Sequence, residues 1–137
     1  MSYKYALKGV ARTVGFDLPI SRKRGFEICR AIRGKTVEQA KSFLNNVIYL
    51  KVAVPFKRYN RDTAHKSSSK GPGRYPIKAA KAILKILKTC EANAIQKGYA
   101  TANLKVYAIV GKGSKFRRPG RHRWESKRTH IEMVLKE

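Results

Sequence analysis

Leu104-Lys-Val-Tyr-Ala-Ile-Val110 and His130-Ile-Glu-Met-Val-Leu135 are two runs in which apolar residues recur at every second position. Period two is the mark of a half-buried strand. The segment between them is almost free of hydrophobic residues. From 112 to 128 it holds Lys112, Lys115, Arg117, Arg118, Arg121, Arg123, Lys127 and Arg128 against one acid, Glu125. A reversal at Pro119-Gly120 brings the runs together as an antiparallel ribbon. Leu104 then opposes Leu135, Val106 opposes Met133 and Ala108 opposes Ile131. One face is apolar throughout, as a register fixed by a buried face requires. Each side has about 16 residues, so at ~3.3 Å per residue the ribbon reaches roughly 50 Å. The rest of the chain, packed as a compact body, has a radius of gyration near ~13 Å. The arm therefore outreaches the body, and its outer half has charge without core. A solvated two-stranded hairpin is marginal in water; this one needs a polyanionic surface to lie in.

The chain has 137 residues, which predicts one domain with one modest core. Its body covers about 1–110 and 129–137, and the arm covers about 111–128. Lys and Arg number 32 against 8 acids, for a formal net charge of +24. Such an excess opposes compaction by self-repulsion and points to nucleic acid, whose phosphates release counterions when cations bind. An anionic membrane fits less well, because the basic residues are not gathered on one amphipathic helix. The longest apolar stretch, Val47 to Phe56, is broken by Lys51 and is too short to span a bilayer. A hydrophobic share of 42% excludes a wholly disordered basic tail. Cys29 and Cys90 lie far apart with no metal-ligand spacing, so both read as small apolar residues. Few cysteines and no charged-then-apolar leader suggest a reducing, intracellular compartment.

Residues 1 to 20 read as an extended lead-in or strand, from Tyr3 to Val10, closed by a turn near Asp17-Leu18-Pro19. Ser21 is a candidate N-cap for a first helix with Phe26, Cys29 and Ile32 or Arg33 inward, stopped by Gly34. Thr36 opens a second helix, with Gln39 completing a capping box. Val37, Ala40, Leu44 and Val47 form its buried stripe, widened by Phe43 and Leu50. A basic insertion at about 56–75 has the composition of a loop, with Ser, Gly and Pro punctuation. It carries Lys57, Arg58, Arg61, Lys66, Lys70 and Arg74. Tyr59 and Tyr75 sit among these cations, as stacking on RNA bases would require, although a solvated linker has the same composition. Pro76 begins a third helix that runs to about Lys97, with Gly98 just beyond it. Its Ala80, Ile83, Leu84, Leu87, Ala94 and Ile95 share one side, and Lys78, Lys81, Lys85 and Lys88 line another. That lysine face suits either solvent or RNA.

The eight acids form no local pair from which a two-metal site could be built. His65, His122 and His130 lack metal-ligand spacing. Among arginines, His122 suits stacking on RNA better than acid–base work, and His130 reads as structural. Gly111-Lys-Gly113 and Gly71-Pro-Gly73 lack the strand–turn–helix context of a phosphate-binding loop. The sequence predicts neither catalysis nor a cofactor. The arm tip is rich in arginine, whose planar fork grips phosphate bidentately and stacks on bases. Pro119-Gly120 suits a type II-like turn, which splays its flanking strands. Phe116 and Trp124 beside it serve either as stacking rings or as cover for neighbouring arm side chains.

The order of these parts resembles the universal large-subunit ribosomal protein family numbered twenty-two, in its archaeal and eukaryotic branch. The residues that match are Asp17-Leu-Pro-Ile-Ser21 leading to Glu27-Ile-Cys-Arg-Ala-Ile-Arg-Gly-Lys35, then Thr36 to Leu50. Val54-Pro-Phe-Lys-Arg-Tyr-Asn60 resembles an insertion that bacterial members lack. Pro76-Ile-Lys-Ala-Ala80 through Glu91-Ala-Asn-Ala94 resembles the family's long helix, and Thr129-His-Ile-Glu-Met-Val-Leu135 its closing strand. The resemblance extends over essentially the whole chain. It implies an α+β fold, three helices packed on a small antiparallel sheet with a long protruding β-hairpin. It also implies a cytoplasmic, non-enzymatic role in the large subunit, bound to ribosomal RNA beside neighbouring ribosomal proteins, with no membrane and no homo-oligomer. By position, Pro119, Gly120, Arg121, His122 and Arg123 become the tip that lines the tunnel of the nascent polypeptide. Arg123-Trp-Glu125 departs from the small residues of bacterial members, so their tunnel contacts do not transfer. The rival is a DNA-packaging protein with a two-stranded arm. Such an arm usually ends in an apolar wedge, for which Pro119 is the one candidate here.

Overall fold

Alternation along the two quoted runs becomes two eight-residue strands, β5 (Lys105–Lys112) and β8 (Thr129–Lys136). A computed structural model describes residues 9–69, 71–114, 116, 117 and 125–137. Strand β1 (Ala11–Leu18) completes a three-stranded antiparallel sheet in the order β1-β8-β5. The closing strand is thus central, and Ile131 to Leu135 are all buried. In β5–β8 the observed partners are Val106 with Leu135, Ala108 with Met133 and Val110 with Ile131. The register expected from a reversal at Pro119-Gly120 is therefore two residues out. A slip of two leaves every side chain on its original face, so the expected apolar stripe is correct and its expected partners are not. The first strand also begins later than expected. It starts at Ala11, and of the expected span Tyr3–Val10 only Gly9 and Val10 lie within the described residues. Where a turn was expected near Asp17, the strand continues to Leu18 through an irregularity in register, with Asp17 at φ 44°.

Among the described residues, three helices cover one face of the sheet. Helix α1 (Arg22–Ile32) packs on β5, α3 (Ile77–Gln96) on β1 and β8, and α2 (Val37–Ile48) on α3. Helix α2 begins with a complete capping box: the Thr36 hydroxyl accepts the Gln39 N–H, and the Gln39 side chain accepts the Thr36 N–H. Ser21 holds the N-cap position of α1 but makes no side-chain cap bond. Helix α3, about 30 Å long at 1.5 Å per residue, ends at Gly98, whose φ of +76° suits a residue without Cβ. The core unites Ile28, Ile32, Leu44, Ile83 and Leu87 from the helices with Val106, Ile131, Met133 and Leu135 from the sheet.

The edges of the apolar stripes differ from expectation. In α1 the buried arc is Gly25, Glu27, Ile28, Cys29 and Ile32, while Phe26 is half-buried. Leu50 and Ile95, placed inward by periodicity, are 55% and 61% exposed. Leu50 lies beyond the end of α2, and Ile95 falls just outside the buried arc of α3, whose neighbouring Ala94 is fully buried. Lys41 of α2 reaches Glu91 of α3 in an ion pair, and Asn93 of α3 donates to the Arg12 carbonyl and the Thr13 hydroxyl of β1. Polar bonds thus fix the layers that apolar packing brings together.

Both cysteines are buried. Burial pushes the Cys29 thiol up to about 12 and raises Cys90 as well. Since the thiolate is the nucleophile, neither should react with iodoacetamide at pH 8 in the native protein, and both should in denaturant. Native labelling of Cys29 at the denatured rate would contradict this packing.

Candidate nucleic-acid interface

The insertion expected to be a loop contains small regular elements. Strands β2 (Val54–Pro55), β3 (His65–Lys66) and β4 (Gly71–Arg74) form a second sheet in the order β2-β4-β3. A 3₁₀ turn, Ser67–Ser69, lies between β3 and β4. The Ser69 hydroxyl donates within this turn, to the carbonyls of Lys66 and Gly71. Serine and glycine here build tight main-chain pairing, which their composition alone could not distinguish from a linker. Lys57, Arg58 and Arg61 on the connection from β2 to β3, Lys66 on edge strand β3 and Arg74 at the end of central strand β4 are all exposed. Lys70 lies outside the described residues.

Glu27 anchors this insertion to α1. Its carboxylate is fully buried and accepts the N–H groups of Lys57, Arg58 and Tyr59 at 3.2, 2.8 and 2.8 Å. From the sequence, Glu27 stood out only as part of a family pattern. The available signal was an acid beside Ile28 and Cys29, amid the cations Arg22, Lys23, Arg24 and Arg30. Tyr59 meets Phe26 edge-on at 5.7 Å between centroids, and the Arg58 guanidinium lies 5.2 Å from the Phe26 ring.

The arm leaves the body through a second junction. Beyond Lys112 and Thr129, which pair with each other, strands β6 (Phe116–Arg117) and β7 (Glu125–Ser126) continue the antiparallel pairing. Three residues, 113–115, separate β5 from β6, but two, 127–128, separate β7 from β8. The register therefore shifts by one, as at a bulge. Gly113 sits where its Cβ would stand 2.5 Å from the Arg128 carbonyl carbon and 2.6 Å from the Thr129 nitrogen. This glycine is required by the close approach of two backbones, not by a phosphate. Asp17 closes the junction. Its carboxylate accepts the Ser114 N–H at 2.9 Å and the Ser114 hydroxyl at 3.1 Å, and its carbonyl accepts from Arg128 at 3.2 Å. His130 adds to the same knot: its Nδ1 accepts the Asp17 N–H, and its ring packs edge-on against Phe16.

The Ser114 N–H, the Ser114 hydroxyl and the charge of Arg128 hold the Asp17 carboxyl below its usual range. A depressed folded-state pKa stabilises the fold above the unfolded value and ceases to do so as pH falls through the folded one. Asp17→Asn should therefore lower stability near neutrality and flatten the loss of stability below about pH 4. Urea melts of both proteins from pH 6 to pH 2 provide the check. Parallel profiles would exclude the Asp17 lock.

Lys112 and Lys127 are exposed beside this junction, and with Lys23 they help line a cleft of about 450 Å³. Arg128 is half-buried and engaged with Asp17, so it supports the arm as well as adding charge. Arg117 is described only in its backbone. Lys115, Arg118, Pro119, Gly120, Arg121, His122, Arg123 and Trp124 lie outside the described residues. The lysines of α3, Lys78, Lys81, Lys85 and Lys88, are all exposed. Among the described residues no group of three His, Cys, Asp or Glu could hold a metal, and no helix is long and apolar enough to cross a membrane.

The sequence matches the family described as ribosomal protein L22p/L17e over residues 13–136. It is 50% identical over 110 residues to the large ribosomal subunit protein uL22 of Methanothrix thermoacetophila, covering 78% of this chain and 72% of that one. Identity to the protein of the same name from Methanosphaera stadtmanae is 42%, covering 99% of this chain and 96% of the relative. The Archaeoglobus fulgidus protein is 47% identical, with 75% of this chain and 68% of the relative covered.

Proposed function

The chain belongs to the ribosomal protein L22p/L17e family, structural and non-enzymatic constituents of the large ribosomal subunit, and we propose that it binds large-subunit ribosomal RNA through its arm and basic insertion. The observation that carries this reading is the exposure of Lys57, Arg58, Arg61, Lys66, Arg74, Lys112 and Lys127 on two elements that are themselves hydrogen-bonded to the body. Cations so held meet phosphates with little further loss of freedom. In the cytoplasmic subunit, the arm from Lys112 to Arg128 passes between RNA segments and fixes their spacing beside neighbouring ribosomal proteins. Its tip, Pro119 to Arg123, faces the tunnel taken by the nascent polypeptide, and the chain acts as one copy without self-association.

Affinities for large-subunit RNA fragments and for duplex DNA at matched salt test the assignment. Tighter binding to the RNA is expected. Equal affinities would favour the DNA-packaging rival. For the tip, a photoreactive residue at position 121 in translating ribosomes should crosslink to nascent chains, and absence of that product would remove the tunnel assignment.

A further inference from the structure

Glu27 is a buried anion in a protein whose proposed partner is polyanionic, and it accepts hydrogen bonds from the main-chain amides of three successive residues in the basic insertion. A charged acceptor shared by three N–H groups holds that stretch of backbone in one conformation. The conformation has a consequence for the side chains. Arg58 lies 5.6 Å and Lys23 also 5.6 Å from the centre of the Tyr59 ring, with Phe26 meeting that ring edge-on. Tyr59 is half-exposed, while Lys23, Lys57 and Arg58 face solvent. An aromatic ring flanked by preset cations suits an unstacked RNA base together with its adjoining phosphates.

We propose that Glu27 is a positioning residue for RNA binding, a buried negative charge that strengthens attachment to a polyanion by holding the Lys57–Arg58–Tyr59 platform in place. The proposal rests on the ribosomal RNA reading above and names one of its working parts. It predicts a sign opposite to that of simple electrostatics. Removing an acid raises the net charge by one and, by charge alone, should tighten binding; loss of the clamp should weaken it.

The test uses the full chain, with affinity for a large-subunit RNA transcript measured across a salt series for wild type, Glu27→Gln and Glu27→Leu. Circular dichroism confirms that each variant is folded. Leucine removes every acceptor and should weaken binding about 10-fold, the scale of one base–aromatic stack. The slope of log affinity against log salt should also fall by roughly 1 for each phosphate that the loop no longer reaches. Glutamine keeps the size but loses the charge and turns a donor toward one of the amides, so it should weaken binding in the same direction by less. Should the leucine variant not fold, the glutamine variant decides alone. In a chain already carrying Arg58→Ala and Tyr59→Ala, where only Lys57 of the platform remains, either change at position 27 should cost clearly less affinity than in wild type. Binding by folded Glu27→Gln as tight as wild type, an unchanged salt slope, or an undiminished loss in the double-alanine background would each overturn the proposal. Wild-type binding no tighter to the transcript than to duplex DNA would instead overturn the RNA reading on which it rests.

Discussion

Replacing residues 113–128 by Asn-Gly should leave a folded body that binds large-subunit RNA with a much flatter salt dependence. The paired residues Lys112 and Thr129 would become the closing pair of a two-residue hairpin, for which Asn-Gly is the favoured turn. The buried cluster lies wholly outside the excised segment, since its last members along the ribbon are Ala108 and Ile131, with Val110 packed against them. Helix content by circular dichroism should therefore survive. The removal takes away Lys115, Arg117, Arg118, Arg121, Arg123, Lys127 and Arg128. If most of these meet phosphates, the slope of log affinity against log salt should fall by about 5, at roughly 0.7 to 0.9 per phosphate. An unfolded product would show that body and arm are not separable. An unchanged slope would show that the arm does not touch phosphate.

A second large effect is expected in the core. Leu87 is fully buried on α3 within the shared core, so Leu87→Ala should cost about 2–5 kcal/mol, transfer and cavity effects together. Ile95→Ala, two turns further along the same helix, should change stability by no more than ~0.5 kcal/mol because that side chain is 61% exposed. Guanidinium melts of the two variants measure the contrast. Equal losses would place Ile95 in the core after all.

Those two residues also show where the sequence was legible. Period and capping located the helices α1, α2 and α3, because Thr36, Gln39 and Gly98 act on their own backbone neighbourhood. The apolar face of the ribbon was equally plain, since it needs only alternation. What alternation cannot supply is the partner: a shift of two residues preserves the face, so the pattern alone leaves the register open. Ile95 and Leu50 were misplaced because period alone does not mark the edges of a stripe: Ala94, the neighbour of Ile95, is fully buried, and Leu50 lies beyond the end of α2.

The interface was legible as charge and illegible as geometry. Lys57, Arg58 and Lys112 were evident from composition. Glu27 and Asp17, the two acids that attach the insertion and the arm to the body, act over long sequence separations on main-chain N–H groups that have no identity in the sequence. Gly113 likewise looked like part of a glycine pair, and its cause is the backbone of Arg128 across the ribbon. Short-range pattern reveals which residues are basic, while the acids that place them appear only once the chain is folded.

The most direct measurement is ultraviolet crosslinking of intact large subunits that contain this chain, followed by identification of the peptides joined to RNA. The account predicts crosslinks concentrated in residues 112–128 and 57–74. Crosslinks confined to other faces, with these two segments unmodified, would contradict it.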